Sequence, residues 1–279
     1  ISAAVTSVGE LFVEKVVVPR LVARAVDFGR QHRADRVWAV LQGQTTIRMA
    51  KAVAEGLGIP LHTHVWDPFS WWARANGLDR ITTRRVQKVF DDAIRFSESV
   101  ATASEPMADR YRKEFGVRAV PVVASHSRSM ARHPDTRLDS ANQLLVGMAG
   151  QFYASAEWLT LLKALDAANW TIGGRSVRVV AMGPQRPPGA ETSRVVFLGW
   201  KAQADAATIL SCCDVLYCPY PFDPVMKEVS QYSFPSKLVL YLAAGRPIVF
   251  HGPAYSSPVQ YIRERRCGVV ADRPLPTAI

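Results

Sequence analysis

The sequence is poor in cysteine: Cys212, Cys213, Cys218 and Cys267 are the only four among 279 residues. Three crowd one apolar segment and the fourth stands apart, which is no disulfide framework. A zinc site needs paired spacings and usually a histidine, and none of the six His lies near 212–218. The pattern is that of buried structural thiols in a reducing compartment. No uninterrupted apolar run approaches the roughly 18 residues of a membrane-spanning helix; the nearest, 144–150, has the length of a strand. No G-x-G-x-x-G follows any strand-like run, which disfavours a dinucleotide-dependent dehydrogenase. Zinc-finger, helix-turn-helix and interleaved basic and aromatic patterns are missing too, so nothing points to nucleic acid.

Acid is the scarcer charge, with 24 Asp+Glu against 34 Lys+Arg and a net charge of +10. The basic side chains cluster in the first half, at Arg20, Arg24, Arg30, Arg33 and Arg36 and again at Arg80, Arg84, Arg85 and Lys88. Two readings stand: solvated helix faces, or attraction to anionic lipid headgroups or an anionic substrate. With 48% hydrophobic and 21% charged residues the chain is globular, and its length suits two domains of ordinary size. It opens at Ile1 without a signal-like segment and closes on Pro274-Leu275-Pro276-Thr277-Ala278-Ile279, and it reads as a piece of a longer protein.

Apolar runs of strand length alternate with amphipathic runs of helix length from end to end. Strands are expected at 37–41, 59–65, 99–103, 117–123, 144–149, 177–183, 194–198, 214–218, 247–251 and 268–270. Helices are expected at about 9–33, 44–57, 80–98, 105–116, 155–169, 201–212, 235–244 and 256–266. Most strand runs are continuous, as strands covered on both faces should be. Such alternation predicts parallel sheets in a doubly wound α/β architecture. The rhythm breaks in the polar stretch around Pro134. That predicts a first domain over 1–125, a linker over 126–143 and a second domain over 144–279. Ligands of such sheets sit beyond the carboxyl ends of the strands, so two domains facing each other would line a cleft with strand-to-helix loops.

The most specific stretch runs from Ser233-Phe234-Pro235-Ser236-Lys237 through Leu240 to Ala243-Ala244-Gly245-Arg246-Pro247. It is a helix start with Pro in the first turn, free backbone N–H groups and Lys237 beside them. Dipole and unpaired donors favour an anion there, a phosphate being the usual guest; an ordinary capped helix with Lys237 in water fits the physics equally. The stretch resembles the signature of nucleotide-sugar-dependent glycosyltransferases with the GT-B fold, in the large retaining family, family 4-like. The segments 212–219, 195–200 and 145–150 resemble that family's upstream motifs, and Pro60 to Asp67 with Ala103-Ser104-Glu105 resembles its first domain. The likeness spans about residues 35–272.

The resemblance implies two Rossmann-like domains, the first incomplete here, and sugar transfer from a nucleotide donor to a polysaccharide or lipid-linked acceptor. The family's usual helix beyond the last strand would follow Ile279. No metal or other cofactor is implied, in keeping with the lack of an Asp-x-Asp motif. Lys237 is implied as the cation on the departing diphosphate, and Asp67 as an acceptor-side or proton-handling group. Gly150, Gln151, Gly183, Gly199, Trp200, Tyr220, Asp223, Ser233, Phe234, Pro235, Ser236 and Leu240 are implied around the donor. Two glutamates that many members carry eight apart fall here on Tyr232 and Leu240, and the basic pair after the first strand of the second domain is replaced by Gln151-Phe152-Tyr153. A weakened partner or scaffold protein therefore stays open as an alternative, as does a nucleotide-sugar epimerase of the same fold. His62 and His64 share one strand face and could bind metal or serve structure or acceptor. Trp66, Trp71 and Trp72 could stack on a ligand or pack a loop, and His126 belongs to the linker. The expected location is the cytoplasm, at the inner face of the plasma membrane if the basic clusters meet lipid.

Overall fold

The computed structural model describes residues 9, 11–133 and 142–279. Of the expected linker, 134–141 lies outside the described residues. The chain divides into two compact units, Ile1–Val123 with Gln231–Ser233, and Ala124–Ser230 with Phe234–Ile279.

The first unit carries one parallel sheet in sequential order: β1 (Val37–Val40), β2 (Leu61–Val65), β3 (Ser99–Thr102) and β4 (Ala119–Pro121). Its helices are α1 (Val18–Gln31), which continues a π-helical turn at Val13–Val17, α2 (Gln44–Leu57), α3 (Phe69–Ala75), α4 (Arg80–Phe96) and α5 (Glu105–Phe115). Crossovers that all step in one direction and share one hand stack their helices on one face. Accordingly α1 packs on α2 and α2 on α4. Leu61, Thr63, Val65, Val100 and Thr102 are buried on one face of the sheet, whereas Trp38 on the other is 55% exposed. Local chemistry sets the boundaries. The Asp79 carboxylate accepts from Ile81 N and Thr82 N, Ser104 Oγ accepts from Met107 N, and Gly58 and Gly116 end their helices in the left-handed conformation.

The second unit is doubly wound. Its strands β5 (Gln143–Ala149), β7 (Arg175–Met182), β8 (Val195–Phe197), β9 (Val215–Pro219), β10 (Ile248–His251) and β11 (Gly268–Ala271) are parallel; β6 (Thr171–Ile172) joins β7 in an antiparallel hairpin. The order is β11-β10-β9-β5-β7-β6, with β8 beside β7. One face of the sheet is covered by α6 (Ser155–Ala167) through Trp158, Leu161 and Leu165. The other meets α7 (Gln203–Ser211), α9 (Ser236–Ala244) and α10 (Ser257–Arg265) through Leu210, Leu238, Tyr241, Val259 and Ile262. The short helix α8 (Lys227–Tyr232) precedes α9. Part of the expected linker is bound to this unit: Arg132 N donates to Ala243 O at 2.7 Å, and its Nε to Thr208 Oγ1 at 3.0 Å.

The winding reverses at β5, the first strand of this sheet. There β5 and β9 pair only through Val146↔Val215 and Gly147↔Leu216, while β5 stays with β7 as far as Ala149↔Met182. Gly147 sits where the sheet and α7 press together. A Cβ on it would lie 2.8 Å from Cys213 Sγ, 2.8 Å from Leu216 Cδ2 and 2.9 Å from Leu210 Cδ2. Gly147→Ala is therefore expected to cost about 1–3 kcal/mol by overpacking. Urea denaturation should show a lowered midpoint, and an unchanged midpoint would mean that these three neighbours yield freely.

Candidate functional site

The carboxyl ends of β5 and β9 part at the winding reversal, the place where open α/β sheets take their ligands. Strands that part leave backbone groups unpaired, and the Tyr241 hydroxyl of α9 fills this gap. It accepts from Ala149 N at 2.8 Å and lies 3.2 Å from the carbonyls of both Ala149 and Tyr217. The helix that carries Tyr241 starts at the same end of the sheet. Its N-cap is Pro235, no side chain caps its first N–H groups, and its first turn has no acid.

Lys237, one turn before Tyr241, is only 7% exposed. Its Nζ donates to Gln151 O at 3.1 Å and stands 4.2 Å from the centre of the Tyr153 ring. Burial pushes its pKa down, with the Cys218 thiol opposing weakly. Among the described residues no carboxylate pairs with it. Gly150, at φ +112, brings the loop after β5 against the Lys237 stem: a Cβ there would lie 3.5 Å from Lys237 Cβ. The Tyr153 ring also meets Tyr220, from the loop after β9, at 6.3 Å. Gly150, Gln151, Tyr220, Pro235 and Lys237 thus come together, and Tyr153 and Tyr241, neither expected as a donor contact, join them.

The next loops are stitched on by backbone. Gly150 N donates to Met182 O and Gly183 N to Gly199 O, at 3.0 and 3.1 Å, and a Cβ on Gly183 would lie 2.5 Å from Gly150 O. Trp200, beside Gly199, is 71% exposed. Asp223 Oδ1 accepts from Val225 N at 2.9 Å to cap a short turn. Phe234 packs edge-on to Tyr261, and Leu240 packs against the core beneath α9. Ser236, the first residue of α9, is exposed. An apolar cavity of about 340 Å³ lies on the α6 face, between side chains such as Leu144, Val146, Leu165 and Val249. It is away from Lys237 and offers nothing to a phosphate.

In the first unit Asp67 follows β2. Its Oδ1 accepts from Ser233 Oγ at 2.6 Å. Burial raises its pKa, and the Ser233 hydroxyl holds part of that rise back. Tyr232 lies under the Arg110 guanidinium at 5.0 Å, and its carbonyl accepts from Ser104 Oγ. His62 Nδ1 meets Ser99 Oγ at 2.8 Å, and Trp66 Nε1 donates to His64 Nδ1 at 3.3 Å. Trp71 and Trp72 are half-buried on α3. Among the described residues no three His, Cys, Asp or Glu side chains converge as metal ligands.

Asp67 is a test of this electrostatics. A carboxyl whose folded pKa is raised binds its proton more tightly folded than unfolded, so stability falls as pH rises through that window. At pH 7 the ionised group costs stability. Asp67→Asn, which can still accept from Ser233, should melt higher than wild type at neutral pH, by about 2–4 °C per kcal/mol relieved. The difference should shrink as pH falls towards the ordinary Asp range. Equal melting at both pH values would show that burial does not strain this group.

No protein-family model and no curated protein matches the chain. Solved structures do. A sucrose-phosphate synthase from Thermosynechococcus elongatus aligns over 94% of this chain and 66% of its own, with TM-score 0.67 and 14% identity. A UDP-forming trehalose-phosphate synthase from Burkholderia xenovorans in complex with glucose-6-phosphate aligns over 92% and 66%, with TM-score 0.60 and 11% identity. The S. aureus MnaA–UDP structure aligns over 95% and 70%, with TM-score 0.50 and 10% identity. The chain thus spans about two thirds of the length of these structures, and what it shares with them is the fold: α/β with Rossmann-like parallel-sheet units, as in GT-B glycosyltransferases.

Proposed function

We propose that this chain belongs to a glycosyltransferase that moves a sugar from a nucleoside-diphosphate donor to a polysaccharide or lipid-linked acceptor. The observation that carries this reading is Lys237. A lysine buried without a carboxylate is costly, and this one sits at an uncapped helix N-terminus where the sheet reverses its winding. A diphosphate would meet both the helix donors and the ammonium, and would offset the burial cost. In transfer the same groups would stabilise the charge that develops on the departing diphosphate, without needing a metal. Backbone groups of Gly150, Gly183 and Gly199 would hold the nucleotide, with Trp200 at its edge. Asp67 would act on the acceptor, with Ser233 fixing its orientation. Retention of anomeric configuration rests on the sequence resemblance. The expected setting is the cytoplasmic face of the plasma membrane, with Arg80, Arg84 and Lys88 among the groups that would meet anionic headgroups.

The second reading is a binding partner that has lost turnover. It is favoured by Tyr232 lying under Arg110 and by Leu240 packing on the core where acids would serve the donor. Calorimetric titration separates the readings. UDP or GDP should bind the chain, and Lys237→Met should weaken that binding about tenfold to a hundredfold, the range for hydrogen bonds to charged groups. The same variant should be no less stable without ligand, since it removes a desolvated charge. Failure of every nucleoside diphosphate to bind would overturn the donor site. Binding without sugar transfer in the full-length protein would favour the partner reading.

A further inference from the structure

His251 ends β10, is fully buried, and plays no part in the donor site proposed above. Its Nε2 lies 2.9 Å from Arg273 O, and its Nδ1 lies 2.7 Å from Tyr217 Oη. That hydroxyl lies 2.8 Å from Glu157 O. Both carbonyls can only accept, so one requires the Nε2 proton and the other the tyrosine proton. A neutral histidine and a tyrosine have no further proton to share. Nδ1 and Oη would then face each other at 2.7 Å with lone pair against lone pair, and one of the three contacts must open. An imidazolium supplies the third proton and satisfies all three.

The surroundings act on that charge from every side. On α6, Glu157 is 4% exposed, and its carboxylate favours the imidazolium. β9 contributes Tyr217. The segment after β11 contributes the Arg273 carbonyl, the Arg273 residue itself being exposed. The Phe222 ring lies 5.3 Å away, tilted 58° to the imidazole. Burial works against all of these and brings His251 below its ordinary pKa.

The same groups hold the loop after β9. Phe222 N donates to Glu157 Oε1 at 2.8 Å, and Tyr220 N to His251 O at 2.7 Å. We propose that Glu157, Tyr217 and His251 form a proton-operated latch on this loop. With the third proton bound the latch is closed, and at neutral pH one of its hydrogen bonds is open. These are positioning residues, acting through Tyr220 and Phe222. The consequence for donor binding rests on the function proposed above; the latch itself does not.

The test is a pH titration of the whole chain labelled with ¹⁵N-histidine, over about pH 5–8, with His251 identified by the signal lost in His251→Gln. Both ring nitrogens should be protonated together on the acid side, with a midpoint below about 6.5. Across the same step the Phe222 amide, corrected for intrinsic exchange, should become roughly fivefold better protected. In Tyr217→Phe the change in protection should vanish. A single neutral tautomer throughout, or Phe222 protection that ignores the titration, would overturn the latch, and either can be read on wild type alone. UDP affinity measured over the same range keeps the two proposals apart. A titrating latch with pH-independent affinity breaks only the link to the donor, and a chain that never binds UDP sinks the donor reading and leaves the latch standing.

Discussion

The second unit depends on how it satisfies two strands that part. Where β5 and β9 diverge, the Ala149 N–H and the carbonyls of Ala149 and Tyr217 lose the partners that a continuous ladder would provide, and buried backbone groups without partners are costly. The Tyr241 hydroxyl answers that need from α9. One hydroxyl therefore fixes the height and rotation of the helix over the crevice. Residues four apart share a helix face, so Lys237 is carried to the same crevice one turn nearer the carboxyl ends of the strands. A lysine there has little water and must find what it can. It finds the Gln151 carbonyl and the Tyr153 ring.

The thiol beside Lys237 leaves its charge without an anion. Burial pushes Cys218 up to about 12, so it stays protonated at any physiological pH and provides no counter-charge. Cys213 is likewise pushed up to about 12 by burial. Cys218 thus stands beside the lysine as a neutral thiol, and all four cysteines are free. The ammonium is directed at the loop after β5, through the Gln151 carbonyl and the Tyr153 ring.

Much of this was legible in the chain. All ten expected strands form: in the second unit continuous apolar runs covered on both faces leave a clear signal, in the first unit one buried face suffices, and the helix boundaries at Ser104, Gly58 and Gly245 follow from caps that act over three or four residues. Among the described residues the short elements were not legible, nor were single 3-10 turns such as Pro224–Met226. α3 lies among tryptophans behind Pro68 and has only seven residues, α8 has six, and β6 has two. None is long enough to show a period. In the site, the helix start at Pro235 and Lys237 was legible because its chemistry is local. Tyr241, Tyr153, Glu157 and His251 were not, since each is defined by a partner distant in sequence: Tyr241 with Ala149, Lys237 with Tyr153, Tyr217 with both Glu157 and His251. A buried tyrosine or histidine in an apolar run reads as core until its partner is seen.

The same geometry bears on what the proposed donor site can distinguish. Lys237 and the first N–H groups of α9 answer charge, and charge is common to every nucleoside diphosphate. Tyr232 and Leu240 carry no carboxylate, so acids that could grip a ribose or a sugar hydroxyl are absent from these two positions. Discrimination would then fall on shape, at loops whose positions are set by backbone hydrogen bonds. Gly183 is held to Gly199, and the approach of Gly150 to Gly183 leaves no room for a side chain. Such a site would bind its ligand by the phosphates and select among bases by fit, so its selectivity would depend on how firmly the loops after β7, β8 and β9 are held. In the proposed site, the buried groups behind the loop after β9 would then bear on specificity as much as the residues that face the donor.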